Sequence, residues 1–118
     1  MLSDRPPERV GDDAAGFTIA ASGNVVRLVG WGFWSPEVAS QLDLHVLRAC
    51  DRDPGLSELV LDLTELKPMR DEGQLGMVHL LQSLGSIRVT IITRSQLTRL
   101  QLMRLVKETK HQAEVTFR

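Results

Sequence analysis

The chain is poor in the residues that build cross-links and in those that mark enzymes. It holds one cysteine, Cys50, no tyrosine, and only two tryptophans and three phenylalanines. A lone cysteine leaves no internal disulfide to form, which points to a reducing, cytoplasmic setting. No His or Asn partner is suggested for Cys50, so it reads as a small packing residue near the end of a helix. No apolar run approaches the roughly 20 residues of a membrane span, and the N-terminus lacks a signal-peptide core. Neither sign of charge is in excess: 14 Lys and Arg face 15 Asp and Glu, for a net charge of -1. Nothing in that balance draws the chain to nucleic acid or to acidic membranes. A Gly-rich phosphate loop, a Gly-x-Ser-x-Gly elbow and a Cys-x-x-Cys pair are all missing. His45, His79 and His111 are scattered singly; His45 and His79 fall on different helices, and neither has a second ligand three or four positions on. The expectation is a protein that is not an enzyme and carries neither cofactor nor metal.

What is present is an ordinary globular composition, 42% hydrophobic and 25% charged over 118 residues, enough for one domain. Residues 1–16, MLSDRPPERVGDDAAG, hold little apolar content and read as a flexible tail, leaving 17–118 as the domain. Residues 17–21 and 25–30 alternate like two strands, joined by a hairpin turn at Ser22-Gly23-Asn24. Trp31-Gly32-Phe33-Trp34 makes an aromatic loop. Ser35-Pro36-Glu37 then reads as an N-cap, a first-turn proline and a first-turn acid. A helix over 36–50 follows, with Val38, Ala39, Leu42, Val46 and Ala49 on its buried side. Residues 51–56, DRDPGL, end it.

A short apolar strand over 59–62 comes next, ending at Asp62, with Leu61 expected in the core and Leu63 near the sheet's edge. A loop containing Pro68 leads to a helix over 71–84 that buries one side through Leu75, Val78 and Leu81. Residues 88–93, RVTIIT, read as a strand by their β-branched content. Ser95 caps a helix over 96–110, with Leu97, Leu102, Leu105 and Val106 toward the core. Residues 113–117 form a terminal edge strand. The order β-β-α-β-α-β-α-β describes a single-domain α/β fold, a mixed sheet of four or five strands covered by helices.

The stretch 59–76, LVLDLTELKPMRDEGQLG, resembles the core of the STAS domain, the fold of bacterial anti-sigma-factor antagonists. Those proteins carry a strand ending Asp-Leu-Ser or Asp-Leu-Thr, a loop, and Asp-Ser-Ser-Gly at a helix start. Asp62-Leu63-Thr64 matches the first part, and Gly73 falls on the glycine. Arg70 replaces the family aspartate, Asp71 the phosphorylated serine, and Glu72 the second serine. The resemblance implies a regulatory protein-interaction module that keeps the fold and lacks the phosphorylatable switch. Its partner-binding residues would be Asp62, Thr64, Arg70, Asp71, Glu72 and Gly73. Its partner would be an anti-sigma factor or a kinase-like regulator, with a homodimer as a further possibility. WGFWSPE and ITRSQLTRL look more like a divergent branch of STAS-like folds, similar in topology to lipid carriers of the CRAL-TRIO type.

The same residues carry plainer readings. Acids at a helix start are stabilised by the dipole, so Asp71 and Glu72 suit their place without any partner. Adjacent side chains on a helix diverge by about 100°, which sets this pair apart from acid–base carboxylates. Asp62 and Thr64 can satisfy loop N–H groups by themselves. Arg94, Arg99, Arg104, Lys107 and Lys110 make the last third basic, a solvated face or a patch for an acidic partner or lipid head group. A second function therefore stands beside the first: a small carrier or sensor holding an apolar or anionic ligand between Trp31 or Phe33 and Arg94 or Arg99.

Overall fold

A computed structural model describes residues 8–51 and 56–118. Six strands form one sheet in sequence order: β1 (Glu8–Gly11), β2 (Gly16–Ser22), β3 (Val25–Gly32), β4 (Glu58–Leu66), β5 (Arg88–Thr93) and β6 (Glu114–Phe117). The first three pair antiparallel, and β3 through β6 pair parallel. The helices are α1 (Pro36–Ala39), α2 (Leu42–Asp51), α3 (Asp71–Ser83) and α4 (Gln96–Glu108). Parallel strands laid down in sequence order by right-handed crossovers put every helix on one face. The burial pattern agrees. Phe17, Ile19, Val26, Leu28, Leu59, Leu61, Leu63, Val89 and Ile91 are buried on that face. Arg27, Asp62 and Thr64 alternate with them on the face that, among the described residues, no helix covers.

Local signals place most element starts. Ser35 accepts a hydrogen bond from the Val38 N–H at 3.2 Å, with Pro36 in the first turn of α1. Ser95 does the same for α4, accepting from the Thr98 N–H at 3.3 Å. Gly23 turns the β2–β3 hairpin with a φ of 61°, a conformation glycine adopts without strain.

Several expectations are corrected. The stretch 1–16 is not all tail: β1 occupies Glu8–Gly11, pairs with β2 and buries Val10. Its composition is that of a tail because a four-residue strand takes its stability from the neighbouring ladder; residues 1–7 lie outside those described. The helix over 36–50 is two helices, α1 closing at a Ser40 C-cap before α2 begins at Leu42. Of the loop read over 51–56, residues 52–55 lie outside the described chain. Trp31 and Gly32 belong to β3 rather than to a loop. Leu75 and Leu97, expected in the core, are 54% and 65% exposed.

The largest correction concerns the central strand. β4 does not end at Asp62 but runs to Leu66, and Leu63 is fully buried rather than near an edge. Asp62 pairs with Val29 and Glu65 with Trp31, so β4 carries one residue more than β3 across that interval. This is a bulge. It lets Leu63 keep its place in the core while Glu65 turns out to solvent and Leu66 turns back in.

Candidate functional site

The bulge explains what Asp62 does. Its Oδ1 accepts from the Thr64 N–H at 3.2 Å and the Thr64 hydroxyl at 2.7 Å, and its Oδ2 accepts from Arg27 Nη2 at 2.6 Å. Burial acts to raise the carboxyl pKa, but the two Thr64 bonds and the Arg27 charge outweigh it and hold Asp62 below its ordinary 3.8. Asp62 and Thr64 thus serve each other and the strand.

From the end of β4, residues 67–70 cross the carboxyl edge of the parallel strands to α3. This connection is fixed from two sides. The Lys67 N–H donates to the Gly32 carbonyl at 3.0 Å, tying it to β3. From α4, the buried Thr98 hydroxyl donates to the Leu66 carbonyl at 3.1 Å. One turn on, the Gln101 amide brackets Met69, accepting from its N–H at 2.7 Å and donating to its carbonyl at 2.9 Å. Arg104 then donates to Gln74 Oε1 at 3.2 Å, while Gln74 Nε2 donates to the Met69 carbonyl at 3.0 Å. Thr98, Gln101 and Arg104 recur every third residue along one flank of α4. The sequence holds that signal as three polar residues on a helix otherwise sorted into core and surface, yet nothing local says what they grip.

On this mount sits the start of α3. Arg70 is the N-cap, extended at φ -81° and ψ -178°, and gives no side-chain hydrogen bond to the helix. Arg70, Asp71 and Glu72 are exposed. Gly73 is buried, and a Cβ there would lie 3.1 Å from that of Met69. Gly76, one turn further, lets α3 close on α1, since its Cβ would meet the Ala39 carbonyl oxygen at 2.7 Å. The exposed side of α3 continues from Asp71 to Leu75. On α4, Leu97 and Leu100 are also exposed, at 65% and 53%.

The second group of expected contact residues does not converge. Trp31 lies on the helix-free face, where its Nε1–H donates to the Asp12 carbonyl at 2.9 Å and Arg9 stacks on its ring at 5.4 Å. Arg99 lies on the helix face at the far end of the sheet, over the Phe117 ring at 5.7 Å and donating to the Arg118 carbonyl at 3.1 Å. Phe33 and Arg94 are exposed. The aromatic that enters the core is Trp34, which covers Gly30, meets Phe17 edge-on at 5.8 Å and donates to the Gly16 carbonyl at 2.8 Å. Among the described residues no three His, Cys, Asp or Glu side chains group as a metal site, and no helix is long and apolar enough to cross a membrane. Compared with protein-family models, curated proteins and solved structures, the chain matches none.

Proposed function

We propose that the protein is a non-enzymatic regulatory module of the STAS kind, bound by a protein partner at residues 67–75. Asp71 stands as a fixed negative charge where that family places a phosphorylatable serine. The partner is an anti-sigma factor or a kinase-like regulator. The observation that carries this reading is the mounting of Asp71 and Glu72. Both carboxylates are exposed, while the backbone beneath them is clamped by Gln101, Thr98 and Gly32. A rigid, pre-set mount lowers the ordering cost of docking. Beside it, exposed Leu75, Leu97 and Leu100 offer apolar contact around a charged centre.

Aspartate imitates phosphoserine only in part, with one charge against about -1.5 to -2 and fewer acceptor oxygens. In this reading Asp71 holds the module near its partner-released state. The test titrates an anti-sigma kinase of the family's kind with wild type and Asp71→Ser by calorimetry, beside thermal melts of both. Tighter binding of Asp71→Ser by about tenfold or more, roughly 1.4 kcal/mol, with melts nearly unchanged, supports the reading. Equal affinities reduce Asp71 to a helix-start acid.

A further inference from the structure

We infer that the protein self-associates through β6, two copies pairing this edge strand antiparallel about a two-fold axis at Thr116 to make one continuous sheet. β6 closes one side of the sheet, with β5 as its neighbour in the strand order. The Glu114 N–H donates to the Ile87 carbonyl at 2.9 Å and the Arg118 N–H to the Ile91 carbonyl at 2.8 Å, while the Arg118 carbonyl accepts from Thr93 at 3.4 Å. Residues 114, 116 and 118 therefore turn their backbone groups toward β5. Val115 and Phe117, alternating with them, turn N–H and C=O outward. Such a row is a template for another strand unless something blunts it. Glu-Val-Thr-Phe-Arg has neither proline nor lysine, and its register with β5 is regular.

The strand read against itself selects the occupant. Pairing centred on Thr116 sets Glu114 opposite Arg118 at both ends, Val115 opposite Phe117, and Thr116 opposite its own copy. The outward groups of Val115 and Phe117 then face each other and exchange four hydrogen bonds. The Glu–Arg pairs fall on the helix-free face, where both side chains are exposed. The Val–Phe pairs fall on the helix face, where both residues are half-buried against the core. Centring on Val115 or on Phe117 instead sets a charged residue against Thr116 and loses that match.

A flank of α4 points the same way. Arg99 rests on Phe117, so this side of the helix faces the β6 edge, and Met103 follows one turn on at 44% exposure. α4 is the crossover between β5 and β6, packed on β5 and α3 and reaching β6 through Arg99 over the Phe117 ring. The two-fold brings this flank of α4 toward the same flank of the partner's α4, so exposed Met103 is turned toward the partner helix. The opposite flank of α4 carries Gln101 and Arg104, so this surface is separate from the Asp71 mount.

Sedimentation equilibrium of the full chain, from low micromolar to several hundred micromolar, tests this. Wild type is expected as a monomer–dimer equilibrium. Glu114→Arg and Arg118→Glu each set like charges together twice and are expected to weaken the dimer at least tenfold. An equimolar mixture of these two variants brings opposite charges together again and is expected to dimerise like wild type. Both side chains are exposed, so at concentrations where wild type is monomeric the single variants should still melt cooperatively, Glu114→Arg a little lower because Arg88 lies opposite it on β5. A wild type that stays monomeric at the highest concentration overturns the inference. So do single variants that dimerise as well as wild type, or a mixture no tighter than its components.

Discussion

Gln101 on α4 holds both backbone polar groups of Met69, accepting from its N–H at 2.7 Å and donating to its carbonyl at 2.9 Å. A side-chain amide here does what a neighbouring strand would do, just past the point where β3 ends at Gly32. The Met69 carbonyl keeps its bond from Gln74 Nε2 at 3.0 Å, but the partly buried N–H has only Gln101, so removing the amide strands that donor rather than returning it to water. Gln101→Ala is expected to cost about 1–3 kcal/mol. Amide exchange at Met69 should quicken more than exchange in β5. Uniform quickening across the protein would mean that Gln101 contributes only global stability.

The α3 start lacks the cap its backbone is shaped to use. Arg70 has the extended conformation of an N-cap and supplies no acceptor. Arg70→Asp should therefore raise stability by about 1 kcal/mol, a melting shift of roughly 4 °C. Asp71→Lys should lower it, because a cation then faces the positive end of the helix. Melts in which Arg70→Asp is neutral or destabilising would count against this account of the cap.

Asp62 ties stability to acid pH. Its folded pKa lies below 3.8 because the Thr64 bonds and Arg27 outweigh burial. A depressed carboxyl pKa stabilises fully above the unfolded value and loses that contribution as pH falls through the folded one. Asp62→Ala is expected to cost about 1–2 kcal/mol at neutral pH. The gap to wild type should narrow as the pH drops below 3.8. Denaturant titrations at a series of pH values measure it, and a gap independent of pH would remove the charged pair from the explanation.

Gly76 and Gly85 should respond oppositely to alanine. A Cβ at Gly76 meets the Ala39 carbonyl oxygen at 2.7 Å, whereas a Cβ at Gly85 meets nothing within 4 Å. Neither glycine has a positive φ. Gly76→Ala must push α3 from α1 and is expected to cost about 1–3 kcal/mol. Gly85→Ala removes unfolded-state freedom and is expected to add about 0.4–1 kcal/mol. Equal melting temperatures for the two variants would contradict the helix contact.

The amino-acid sequence by itself determined the α/β class, the starts of the helices at Pro36, Asp71 and Gln96, and β5 over Arg88–Thr93. It also marked Ser35 and Ser95 as caps. These features act within a turn of helix or through β-branched alternation, so their causes lie a few residues from their effects. Tertiary structure alone decided that Glu8–Gly11 is a strand, that Leu63 is core, and that Leu75 and Leu97 are not. It also decided what carries the candidate site. Gln101 and Thr98 each grip a backbone group 32 positions earlier, and the bulge at Asp62 exists only against the register of β3. A partner that far along the chain leaves no local pattern, because the contact depends on how crossovers stack α4 beside the end of β4.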